Sequence, residues 1–291
     1  MQLKEVKGIT FLKVKGTECE RVCAHAELLK DRILHGALPV VARYNEGLIR
    51  RGSGIAQLLP VQNTVLWIYD NVVIPHIKRG LPKSYQEMLR KFSEVVGISE
   101  NTIYKSYFQA EGLMLLSRIS VMKYILEDLP ADSLLGCSSA VIGPEWTKDG
   151  KMLLLRNLDY PMVGPWEKNQ AIIFNEPTEK GHIPFVNISS IGIAASAITA
   201  INREGITLSL HAHFGRDISL MGKSIFLLGE KIISQAKCIN DAVKFAKQHK
   251  NISNWTYIVS SAKEKTGVAI EMTPSKMVVR HMHDGILTHS N

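Results

Sequence analysis

Apolar residues recur at helical spacing through the first 136 residues and at strand spacing after them. Val22, Ala26, Leu29 and Ile33 fall on one face of a helix predicted over Thr17–His35. Ser84 and Glu87, just behind Pro82, have capping-box spacing, and they predict a helix that Gly97 should end. A third helical pattern runs over about residues 101–126. The period changes near Leu134. Residues 141–159, VIGPEWTKDGKMLLLRNLD, are apolar runs around an Asp149-Gly150 turn signal and predict a β-hairpin.

Further strands are expected at Ala171–Asn175, Phe185–Ser190, Ile206–His211, Tyr257–Ala262, Val268–Met272 and Met277–His281. Amphipathic helices are expected at about residues 223–235 and 240–248, and a turn at Lys263–Gly267. Strands segregated from helices imply an α+β layered architecture. The expected organisation is a mainly helical segment 1–136 and a β-rich segment 137–291 forming one folded unit.

Composition narrows the function classes. The longest apolar stretches, such as Ile191–Ile201, are shorter than a membrane span, and MQLKEVKG lacks the apolar run of a signal peptide. No integral membrane segment or export signal is therefore expected, and localisation stays open. The net charge of +8 raises a nucleic-acid or anionic-membrane partner. Residues 1–136 carry 18 basic against 14 acidic groups and residues 137–291 carry 17 against 13, with no dense basic block. A mildly basic solvated surface is the simpler reading, and no nucleic-acid partner is expected. Cys19 and Cys23, four apart on a helix, lack a second Cys/His pair for zinc and read as packing residues.

The catalytic alternatives differ in their signatures. The chain has no G-x-S-x-G elbow, and Arg51-Gly-Ser-Gly54 reads as a turn. It also lacks the C-G-[SA]-C-[WY] signature of papain-like enzymes. His211 and His213 alternate on one strand and so share a face, a weak metal signal without further ligands, and neither metal nor cofactor is expected. The sharper feature is Gly136-Cys137 at the helix-to-strand change, followed by Arg156 and Asp159. An antiparallel hairpin would return both beside Cys137, placing a thiol, a cation and a carboxylate together. Spacing alone leaves open whether Cys137 is a nucleophile or a buried structural thiol.

The combination of Gly-Cys at a strand start with DGK and RNLDY resembles the choloylglycine hydrolase and penicillin acyltransferase group of N-terminal-nucleophile hydrolases. Gly16–Arg21 with His25–Leu29 resembles that group's opening segment, Ile201–Ile206 its N-x-x-G strand entry, and Asn254–Val259 a later strand. The resemblance implies a four-layer αββα sandwich, with Cys137 as nucleophile after self-cleavage of the Gly136–Cys137 peptide. It makes Arg156 and Asp159 the groups that hold the thiol and the new amino group. Asn291, in a segment similar to the family's T-N-H-F, is the implied oxyanion donor, and His211 occupies the place of a further polar donor. Relatives supply another Arg beyond that Asn, where this sequence ends.

The implied substrate is a small-molecule acylated amine, opened through an acyl-enzyme thioester, with segment 1–136 retained as a subunit. Acyl transfer to an amine, or ligand binding without processing, are the competing readings. Self-association is left open.

Overall fold

The computed structural model describes residues 1–51, 54–119, 122, 136–159, 166–193, 198–213, 215 and 217–291. The chain begins with strands, not helix: β1 (Gln2–Val6) and β2 (Ile9–Gly16) pair antiparallel. Lys7 and Gly8 turn between them with φ of 51° and 79°, the twist of a two-residue hairpin. No strand was expected in this part of the mainly helical segment. Leu12 and Val14 alternate with Phe11, Lys13 and Lys15, which is strand periodicity.

Helix α1 (Glu18–Leu34) is N-capped by Thr17, whose side chain accepts from Glu20 N while Glu20 reaches back to Thr17 N at 2.7 Å. Then come α2 (Ala37–Ala42), α3 (Tyr44–Arg50), α4 (Leu59–Ile68), α5 (Ile74–Gly80) and α6 (Lys83–Val96). A π-helical turn, Tyr69–Val73, joins α4 to α5. The expected Ser84 capping box does not form. Pro82 is the N-cap residue, so Ser84 lies inside the first turn of α6. Gly97 ends α6 as expected, with φ 82° and its N–H on Ser93 O at 2.8 Å. The third helical pattern divides at Phe108 into α7 (Glu100–Tyr107) and α8 (Gln109–Leu116). Most of its remainder, including 123–126, lies outside the described residues.

Ten more strands follow: β3 (Gly136–Ile142), β4 (Leu153–Asp159), β5 (Gln170–Pro177), β6 (Phe185–Ser190), β7 (Thr199–Asn202), β8 (Ile206–His213), β9 (Asn254–Ser261), β10 (Thr266–Met272), β11 (Met277–His281) and β12 (Ile286–Ser290). Helices α9 (Ile225–Gln235) and α10 (Ile239–Gln248) lie between β8 and β9. The large sheet runs β1-β2-β5-β6-β7-β8-β9-β10-β11, and β2 with β5 is its parallel pair. The small sheet is β12-β3-β4.

Period-2 alternation decides what each sheet face meets. Tyr257, Val259, Val268 and Ile270 point toward Ile232 of α9 and Ala242 of α10. The intervening Ile258 and Ala269 pack against Val141 of β3 and Leu287 of β12, forming the seam between the sheets. Helices α1 and α6 close over Leu12, Val14, Ala171 and Ile173 on the first side. The fold is α+β. Helix, sheet and sheet are the three layers that the described residues form, and the outer face of the small sheet leaves Leu153, Leu155 and Ile286 exposed.

Candidate active site

The expected hairpin forms, with Gly136 opposite Asp159, Cys137 opposite Leu158 and Ser139 opposite Arg156. Its loop is wider than a two-residue turn and spans residues 143–152. Gly150 supplies the left-handed residue at φ 68°. Tyr160 lies outside the described residues. Alternation along β3 sends Cys137, Ser139 and Val141 into the seam between the sheets.

Arg156 reaches Cys137 from the neighbouring strand. Its Nη2 donates to Cys137 Sγ at 3.3 Å and to Leu210 O at 2.6 Å, while Nη1 donates to Thr199 Oγ1 at 2.8 Å. Three acceptors around one planar fork fix the guanidinium. Burial pushes the Cys137 thiol above its ordinary pKa, Arg156 pulls it back, and Asp159 pushes it up again.

The amide of Cys137 has its own partner. Its N–H donates to Asn291 Oδ1 at 2.8 Å, Asn291 N donates to Cys137 O at 3.3 Å, and Asn291 Nδ2 donates to Ala212 O. A short neighbour makes this arrangement available. β7 ends its pairing where Thr199 meets Ser209, so the carbonyls of Leu210 and Ala212 on β8 can accept from Arg156 and Asn291. Asp159 takes a hydrogen bond from Asn157 Nδ2 at 2.6 Å and faces the α-carbon of Gly136.

His211 is fully buried one step away. Its Nε2 pairs with Ser139 Oγ at 2.8 Å, and Ser139 Oγ meets Ser209 Oγ at 3.0 Å. Burial, with Arg156 nearby, lowers its pKa to about 3, so the ring is neutral. His211 and His213 do share a face. His289 lies between them, its ring centroid 4.7 Å from that of His211 and 5.2 Å from that of His213. Among the described residues no group of three His, Cys, Asp or Glu side chains is placed to hold a metal.

Thus the structure brings Cys137, Arg156 and Asn291 into direct contact, sets Asp159 across the strand pair from Gly136, and places His211 beside Asn291 and Ser139. Sequence reasoning did not find Thr199, Ser139 or the carbonyls of Leu210 and Ala212. The strand expected over Ile206–His211 marked which residues share a face, but main-chain acceptors carry no residue-type signal.

Beside Cys137 and Arg156 opens a narrow cleft of about 80 Å³. Tyr85, Tyr107, Phe108, Ile198, Phe226 and Trp255 contribute to its mainly apolar wall. Phe108 and Trp255 lie edge-on to Phe226 at centroid distances of 6.0 and 6.1 Å. Tyr85, Tyr107 and Phe108 bring the helical first segment into this wall.

Two stacked sheets thus hold a cysteine at the start of a seam strand, its thiol and its amide bound by different partners. The profile of the family acyl-coenzyme A:6-aminopenicillanic acid acyl-transferase matches residues 146–291, half of the chain, and the chain belongs to that family. The matched stretch contains Arg156, Asp159, His211 and Asn291 and begins after Cys137. Among solved structures, a mutant of the conjugated bile acid hydrolase from Clostridium perfringens is 16% identical, with a TM-score of 0.39 over 52% of each chain. Penicillin V acylase from Agrobacterium tumefaciens is 11% identical, with a TM-score of 0.29 over 52% of this chain and 43% of that one. The chain spans about half the length of these solved structures. No curated protein matches it.

Proposed function

We propose that this chain is the precursor of an amidohydrolase that cuts itself between Gly136 and Cys137 and then opens linear amides of acylated amines. In the first step Cys137 Sγ attacks the Gly136 carbonyl carbon. The bond to Cys137 N breaks, that nitrogen gains the thiol proton, and a thioester remains. Water opens the thioester, releasing the Gly136 carboxylate and restoring the thiol. The freed α-amino group, with an ordinary pKa of about 7.7–8.0, then serves as the base for each substrate turnover.

The observation that carries this reading is the separate provision for the two reacting atoms of one residue. Sγ lies 3.3 Å from Arg156 Nη2, and the nitrogen that becomes the amine lies 2.8 Å from Asn291 Oδ1. Asp159 is assigned to the charged amino group and Arg156 to the thiolate. Asn291 and His211 are the candidate polar groups at the oxyanion, and Asn291 would have to release Ala212 O to donate there. The apolar cleft supports an apolar acyl group as the part of the substrate that enters. An amine in place of water would turn the same thioester to acyl transfer, a reading supported by the family's description.

Prolonged incubation of purified protein, followed by denaturing electrophoresis and N-terminal sequencing, tests the first step. Fragments 1–136 and 137–291 are expected, with Cys137 at the new terminus. Processed protein should then release amine from fatty-acyl, bile-acid-like or phenylacetyl amides, and Cys137→Ala should do neither. A chain that stays uncut and inert would favour ligand binding without catalysis.

A further inference from the structure

Away from the cleft, one helical stretch has an uncharged outer face on which large apolar side chains stand exposed among Asn63, Thr64 and Asn71. Between Arg51 and Asp70 the sequence contains no charged residue. Yet Leu59 and Trp67 on α4 are 66% and 61% exposed, and Ile55, Leu58 and Val72 beside them are also exposed. Solvated helices normally carry charge on the outer face. The inner face of α4 is firmly seated: Gln62 and Val65 are buried, Gln62 Nε2 donates to Arg50 O at 3.3 Å, and Tyr69 takes a hydrogen bond from Asn45.

The surrounding charge is one-sided. Arg50-Arg51 precedes the stretch and Lys78-Arg79 closes it. The acidic groups in and around it are already matched, Glu46 to Arg50 at 3.0 Å, Asp70 to Lys105 at 2.5 Å and Glu100 to Lys78 at 2.8 Å. Among the described residues Arg51 and Arg79 form no ion pair. Exposed Leu and Trp bracketed by free cations match a surface made of apolar chains under anionic headgroups. A second copy of the chain fits less well, since a two-fold contact through this patch would bring the unmatched arginines together. No described helix is long and apolar enough to cross a membrane, so contact would be from one side.

We infer that the exposed face of α4 with Ile55, Leu58 and Val72 is a docking surface for an anionic lipid bilayer. The test is co-sedimentation of the full chain with vesicles of phosphatidylcholine containing about one-quarter phosphatidylserine, and with phosphatidylcholine alone. Wild-type protein should sediment with the anionic vesicles, less with neutral ones, and should be released by added salt. Leu59→Gln/Trp67→Gln, which changes no charge, should lower the bound fraction at least about tenfold with circular dichroism unchanged. Arg51→Ser/Arg79→Ser should lose the preference for phosphatidylserine. Wild-type protein that ignores both vesicles, or a Gln variant that binds as well as wild type, would overturn the inference. So would dimerisation in sedimentation equilibrium that the Gln variant abolishes in the absence of any vesicle binding.

Discussion

Asp159 Oδ2 lies 3.2 Å from the point where a β-carbon on Gly136 would stand, with Asp159 Cβ at 3.3 Å. The φ of Gly136 is not in the left-handed region, so the glycine answers to space and not to backbone freedom. Gly136→Ala should push the carboxylate off its place by a few tenths of an ångström while leaving the strand pair intact. Self-cleavage should slow by roughly tenfold, read as the uncut fraction against time on denaturing gels. Cleavage at the wild-type rate would detach Asp159 from the reaction.

Asp159→Asn preserves the shape of the side chain and removes its charge. If the carboxylate holds the charged amino group of Cys137, processing or amide turnover should fall by at least roughly a hundredfold while circular dichroism is unchanged. A merely structural Asp159 would cost about 1 kcal/mol of stability and leave turnover near wild type.

Arg156 is distinguished by what it does to the thiol. Burial raises the Cys137 pKa and Arg156 opposes that rise, so removing the guanidinium should move the thiol further up. Iodoacetamide labelling of Cys137, followed against pH by peptide mapping, should shift to more alkaline pH in Arg156→Met. Arg156→Lys should fall between the two, because one ammonium cannot reach Thr199, Leu210 and Cys137 together.

Glu111 predicts a pH effect on folding. It is fully buried with Oε1 on Ile225 N at 2.8 Å, and burial raises its pKa from 4.5 to about 7. A carboxyl whose folded pKa is raised stabilises the fold fully below pH 4.5, and that contribution is lost as pH rises through about 7. Glu111→Gln keeps the acceptor without the charge. The difference in Tm between variant and wild type should therefore move in the variant's favour from pH 5 to pH 8. A constant difference across that range would show that Glu111 does not titrate there.

Much of the strand-rich half was legible because its strands are bounded by turns and differ in apolar content from their surroundings. β6 and β11 have the expected bounds, and the Cys137 hairpin forms as the expected antiparallel pair around a wider loop. β1, β2, β7 and β12 were missed. β7 is only four residues long, and β1 is exposed at every position, so neither shows an alternation of burial strong enough to read. At the site, Cys137, Arg156 and Asp159 were legible because hairpin pairing converts sequence spacing into proximity. Asn291 arrives from the far end of the chain, and only family resemblance named it. Phe226 and Trp255 meet Phe108 through packing of helix on sheet, which no local pattern encodes.

The parallel pairing of β2 with β5 places residues 10–16 inside a sheet otherwise built largely from residues beyond 170. If the chain is cut at Gly136, the two pieces remain interleaved, but the covalent history of the molecule is no longer recoverable from its shape. An uncut chain refolds in a one-body event. A cut one must first find its other half, and its recovery after denaturation depends on dilution. Processing would thereby convert a reversible fold into one preserved chiefly by the slowness of its separation.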